Sequence, residues 1–142
     1  MKTIGKFVVL SVSLLVFVSA TFGQGTAKPK LVFDEVIKGM PVGTDQEVRV
    51  FTASFKPGDK TVFHDHRFPV TVYILEGAFT LELEGRKEPV SVKAGEAFVE
   101  PPNVKMMGFN RSAAADLQLV IFYVSDKGTP FLDMIEGQPM RH

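Results

Sequence analysis

Residues 80–84 read Thr-Leu-Glu-Leu-Glu, with apolar and polar positions in strict alternation. Leu81 and Leu83 share one face, and Thr80, Glu82 and Glu84 share the other. A period of two is that of a β-strand with one face in a core. "EVRVFTASF" (47–55) and "PVSVKAG" (89–95) alternate less regularly. "DLQLVIFYV" (116–124) is apolar on both faces late in its run, and Val, Ile, Phe and Tyr dominate it. That composition predicts a central strand rather than a helix. No segment carries a convincing amphipathic helical pattern. "RSAAAD" (111–116) has helix-forming alanines but is short and lies between strands, so it reads as a loop.

Turn signals punctuate these runs at short intervals: "KPGD" (56–59), "LEGA" (75–78), "EGRKEP" (84–89), "KAGE" (93–96), "EPPN" (100–103) and "DKGTP" (126–130). Short strands at regular spacing, divided by Gly and Pro turns, predict an all-β sandwich or closed barrel.

The first residues follow a different pattern. "MKTIGK" supplies Lys2 and Lys6 and no acid, "FVVLSVSLLVFVSA" is an apolar run, and "TFGQG" offers small residues for cleavage. This is the layout of a secretory signal peptide over residues 1–23. The apolar run is shorter than the roughly 20 residues a membrane span needs. An exported protein, periplasmic or secreted, is therefore expected. Residues 24–44 read as a linker and an N-terminal strand, 45–126 as the barrel, and 127–142 as a C-terminal tail.

Composition narrows the function classes. At 142 residues the chain has room for one core. The 16 basic and 16 acidic residues cancel. Loss of Lys2 and Lys6 with the leader leaves 14 and 16, a net charge of −2. A nucleic-acid surface would need a basic excess, so that partner class is set aside. There is no cysteine, which excludes disulfides, thiolate zinc sites and Cys nucleophiles. No phosphate-cradling glycine loop is present either.

Candidate chemistry concentrates at residues 56–79. His64 and His66 stand one residue apart, and in a strand i and i+2 share a face, so two imidazoles project side by side. Imidazole suits Zn, Cu, Fe and Ni. Gly58, His64, His66 and Gly77 have the spacing of a known motif, G, five residues, H-x-H, three or four residues, E, six residues, G. A second motif runs G, five residues, P-x-G, two residues, H, three residues, N, and it finds Gly95, Pro101 and Asn110 in register. On these spacings the chain resembles the cupin family over residues 45–126. It is most similar to small exported single-domain cupins with "FVEPP"-like second motifs.

The resemblance implies a double-stranded β-helix, or jelly-roll barrel, with a metal site inside, and a homodimer. Three His and one Glu usually hold the family's metal. Here Val70 occupies the Glu position, with Thr71 one residue on, Met106 replaces the third His, and Asn103 stands where the second motif has Gly. Two imidazoles alone hold a metal poorly.

Three readings stay open. In the first, the metal site is degenerate and the barrel binds a small organic ligand, with Val70 and Met106 among apolar walls. In the second, His64 and His66 bind one divalent transition metal or copper with Met106 or Glu100 as the substitute ligand, a thioether favouring Cu(I). In the third, water fills the missing positions and the protein is a metal-dependent oxidoreductase or isomerase acting on a small substrate. Phe68, Val70 and Tyr73 are the expected pocket residues. A structural or partner-binding barrel without metal is the remaining alternative.

Overall fold

The computed structural model describes residues 25–137; the expected leader lies outside them. The described chain is all β. Its nine strands are β1 (Gln46–Phe55), β2 (His64–Asp65), β3 (Val70–Glu76), β4 (Ala78–Leu83), β5 (Val90–Lys93), β6 (Ala97–Glu100), β7 (Met106–Phe109), β8 (Leu117–Asp126) and β9 (Asp133–Met134). Residues 25–45 form no strand, so the strand expected in the N-terminal linker is absent from that stretch.

The strands make two antiparallel sheets, one ordered β1-β8-β3-β6 and the other β5-β4-β7-β2-β9. Alternation in sequence becomes alternation in space. Leu81 and Leu83 of β4 are buried, while Thr80 and Glu82 at the alternate positions are not. In β3 the buried positions are Val70, Val72 and Ile74. The run with apolar residues on both faces, β8, lies between β1 and β3. A strand with a neighbour on each side and a core beneath it favours β-branched and aromatic residues.

The inward faces meet in one core of Val70, Val72, Ile74, Phe79, Leu81, Leu83, Val92, Met106, Leu117, Leu119 and Tyr123. Burying side chains of this size is worth about 1.5–3 kcal/mol each, so this cluster dominates stability in a chain without disulfides.

Tight turns join the strands. Gly77 sits between β3 and β4 at φ 78°, and a Cβ there would lie 2.5 Å from the Asp116 carbonyl oxygen. Both the backbone sign and the lack of space require glycine. The segment read as a tail is tied into the second sheet. Within it β9 pairs with β2 through His64–Met134 and Asp65–Asp133. Arg67 reinforces the join, donating from Nε and Nη2 to the two Asp133 carboxylate oxygens at 2.7 and 3.1 Å. The same guanidinium holds the Asp133 carboxyl below its usual pKa.

Candidate functional site

The two histidines sit where both sheets contribute to one interior. β2 places His64 inward between β7 and β9. His66 follows on the same side, as the two-residue period requires. They are 5% and 1% exposed, with ring planes at 80° and centroids 4.7 Å apart. Asp65 is only partly buried between them.

Glu100, the last residue of β6, joins them from the other sheet. It is 5% exposed, and its Oε2 lies 3.2 Å from His66 Nε2. Its cross-strand partner is Val70, the position at which the family motif places its glutamate. A carboxylate absent from β3 thus enters the same region from the adjacent strand. The turn after it, Pro101-Pro102-Asn103, is tied back to the histidine loop, because the Asn103 amide donates to the His66 carbonyl at 2.7 Å. Asn103, at the motif's glycine position, has a left-handed backbone at φ 57°, a conformation Asn tolerates better than most residues.

Each ring is oriented by a backbone carbonyl. His64 Nδ1 lies 2.7 Å from the Val62 oxygen, and His66 Nδ1 lies 2.6 Å from the Phe131 oxygen. A carbonyl can only accept, so both Nδ1 atoms carry the proton. The two Nε2 atoms, one from each ring, face each other at 3.1 Å. The Glu100 carboxylate approaches His66 Nε2 as well, at 3.2 Å. Burial, the largest influence, pushes the His64 pKa down and favours its neutral form. Each of these close contacts calls for a proton or a cation between its two atoms. Among the described residues no set of three or more His, Asp and Glu side chains stands as a preformed metal cage. The three groups instead touch in a row, with His66 in the middle.

A cavity of about 70 Å³ opens beside them. Its polar lining is Thr61, His64, His66 and Glu100, and its walls are Phe55, Val72, Phe79, Leu119, Ile121, Phe131 and Leu132. None of the three expected pocket residues lines it. Val70 is fully buried beside Glu100. Tyr73 has the opposite strand parity from Val70 and Val72, so its ring lies on the outer face of the sheet. Phe68 packs against the core from its loop. Met106 is fully buried and directly opposite His64 across the β2–β7 pair, outside the cavity lining.

Sequence reasoning missed Val72, although parity from Val70 points to it. It also missed Phe131 and Leu132, whose place depends on a segment folding back over the barrel, a long-range contact with no local signature.

A family model for the cupin domain matches residues 51–123. The chain is a cupin. Solved structures agree on the barrel. An RmlC-like cupin from Methanocaldococcus jannaschii superposes with a TM-score of 0.50 at 28% identity, covering 57% of this chain and 72% of that one. The DMSP lyase DddQ of Ruegeria pomeroyi gives 0.55 at 18% identity over 64% of this cupin, which spans only 45% of the lyase. The polyketide cyclase RemF of Streptomyces resistomycificus gives 0.54 at 20% identity, covering 68% of this cupin and 65% of the cyclase. The likeness to the two enzymes is one of fold. Among curated proteins no sequence matches this cupin.

Proposed function

We propose that this cupin binds one divalent transition metal through His64 Nε2, His66 Nε2 and the Glu100 carboxylate, and offers it to a ligand of few atoms in the adjoining cavity. The observation that carries the reading is the crowding of three potential ligand atoms in a buried pocket, with His64 Nε2 and Glu100 Oε2 at 3.1 and 3.2 Å from His66 Nε2. Two imidazoles and one carboxylate are a donor set for non-haem iron and its neighbours. A metal bound there would supply a Lewis acid that polarises a ligand oxygen. The protein's part is to present both Nε2 lone pairs through fixed Nδ1–H donors, to supply the carboxylate from β6, and to surround the position with apolar walls. Met106, beside His64 on the paired strand β7, contributes packing in this scheme.

The cavity limits the ligand. About 70 Å³ is far below the 300–1,000 Å³ of pockets for drug-sized molecules. It fits a few heavy atoms or one or two waters. That favours the metal over a bulky organic ligand. Export through the N-terminal leader belongs to the same reading, as does a homodimer formed on the outer face of β1 and β8.

Metal analysis tests it. The purified mature protein is expected to carry close to one equivalent of a transition metal, or to take up one equivalent of Co(II). Glu100→Gln should weaken Co(II) binding by about tenfold or more, by analogy with losses at metal-site partners. Failure of the wild type to bind Co(II), Fe(II), Zn(II) or Cu would overturn the proposal. It would favour a second reading, in which the three groups share a proton, for which the touching row of acceptors is the evidence.

A further inference from the structure

Between β8 and β9 the chain crosses the barrel end, and three successive carbonyls of this crossing are each engaged by a side chain from the barrel. Arg49 of β1 donates from Nη2 to the Thr129 oxygen at 2.6 Å. The Tyr123 hydroxyl of β8 donates to the Pro130 oxygen at 3.3 Å. His66 Nδ1 donates to the Phe131 oxygen at 2.6 Å. The first two donors also touch each other, since the Arg49 guanidinium carbon lies 5.0 Å from the Tyr123 ring centroid. The Tyr123 ring in turn stands edge-on to Phe131, with centroids 5.5 Å apart, and Phe131 lies 5.0 Å from the His66 ring.

Arg49 is held there at a cost. Its Nε is buried without a hydrogen-bond partner among the described residues. The nearest carboxylate oxygen, on Glu47, is 4.0 Å away, too far for a hydrogen bond. A buried donor without an acceptor is unfavourable. The guanidinium accepts that penalty because its other end is committed to Thr129 and, at 2.9 Å, to Ser125 Oγ.

We propose that Arg49 and Tyr123 are positioning residues for His66. By holding the carbonyls of Thr129 and Pro130 they fix the next carbonyl, that of Phe131, which locks the His66 tautomer and aims its Nε2 at Glu100 and His64. The proposal rests on the metal reading for its purpose, but its geometry stands apart from it. Without the two clamps the crossing segment is free to lift, His66 loses its fixed acceptor, and the proton can move to Nε2, which removes a ligand lone pair.

Long-range ¹H–¹⁵N spectra of ¹⁵N-histidine-labelled protein read the tautomer directly, with or without metal. Wild type should show His66 as a single Nδ1–H tautomer. Arg49→Met and Tyr123→Phe should each mix the tautomers and weaken Co(II) binding by about tenfold, with Arg49→Lys recovering much of both. Tyr123→Phe keeps the buried ring and loses one hydroxyl, so it reports even if Arg49→Met fails to fold. A pure Nδ1–H signal with unchanged Co(II) affinity in Tyr123→Phe and in a folded Arg49→Met would overturn the assignment. Mixed tautomers in the variants, in a protein that binds no Co(II) even as wild type, would uphold the positioning role and overturn the metal reading.

Discussion

At the scale of single residues, the second-motif positions act through backbone and hydrogen-bond geometry. Asn103 is the clearest case. The motif has glycine there, and Asn103 takes a left-handed backbone that glycine adopts freely, while its amide ties the Glu100 turn to His66. Asn103→Gly should therefore leave thermal stability within about 1 kcal/mol, whereas Asn103→Ala should cost about 1–2 kcal/mol, the penalty for a Cβ in that region. Equal melting shifts for the two would show that the side chain, not the backbone sign, matters at this turn. Asn110, the terminal residue of the second motif, is likewise structural. Its amide donates to the Phe55 and Ala115 carbonyls at 3.1 and 2.9 Å, and its oxygen accepts from the Ser112 amide at 3.1 Å. The bonds join the loops at the ends of β1 and β7.

At the scale of elements, the decisive piece is the stretch from β8 to β9. Two paired residues alone make a weak strand, so β9 depends on what flanks it. Phe131 packs against Phe51, Tyr123 and His66, with centroids 4.7, 5.5 and 5.0 Å away. The Ile135 amide donates to the Phe63 carbonyl at 3.0 Å. Phe131→Ala should lower unfolding stability by about 2–4 kcal/mol, near the lower end of the range for buried Phe because this ring is only partly buried. Denaturant midpoints would measure it, and a loss below about 1 kcal/mol would mean that the segment rides on the barrel without supporting it. Four of the longer runs were legible as strands. Alternation located β1, β4 and β5 to within a few residues, and the run with apolar residues on both faces identified β8 as central, since only a strand flanked on both edges and buried beneath needs that composition. The loop at "RSAAAD" was read correctly for want of length. β6 and β7 were not read as strands, and β9 was not legible, because two residues carry no period.

At the scale of the molecule, the outer face of the first sheet stands out. Val48, Val50 and Phe122 are 67%, 56% and 44% exposed, and Val50 pairs with Phe122 across β1 and β8. Beside them β1 has only one sheet neighbour. If the proposed homodimer forms here, Val50→Asp should shift the protein from dimer to monomer in sedimentation velocity while leaving the fold intact. A monomeric wild type, or a dimer indifferent to Val50→Asp, would remove this face from consideration.

The amino-acid order alone determined the class of fold, the strand faces and the histidine pair, because these follow from periods of two residues and from the spacing of turns, all of which are local. It also supplied Glu100 as a candidate ligand without showing that it faces His66. Tertiary structure decided the rest. Pairing of β3 with β6 set Glu100 opposite the valine that replaces the family's glutamate, and closure of the C-terminal segment brought the Phe131 carbonyl to His66. Those two contacts join residues 30 and 65 positions apart. No local pattern encodes them, since they form only when two sheets close on one core and the chain must satisfy buried donors wherever it then finds them.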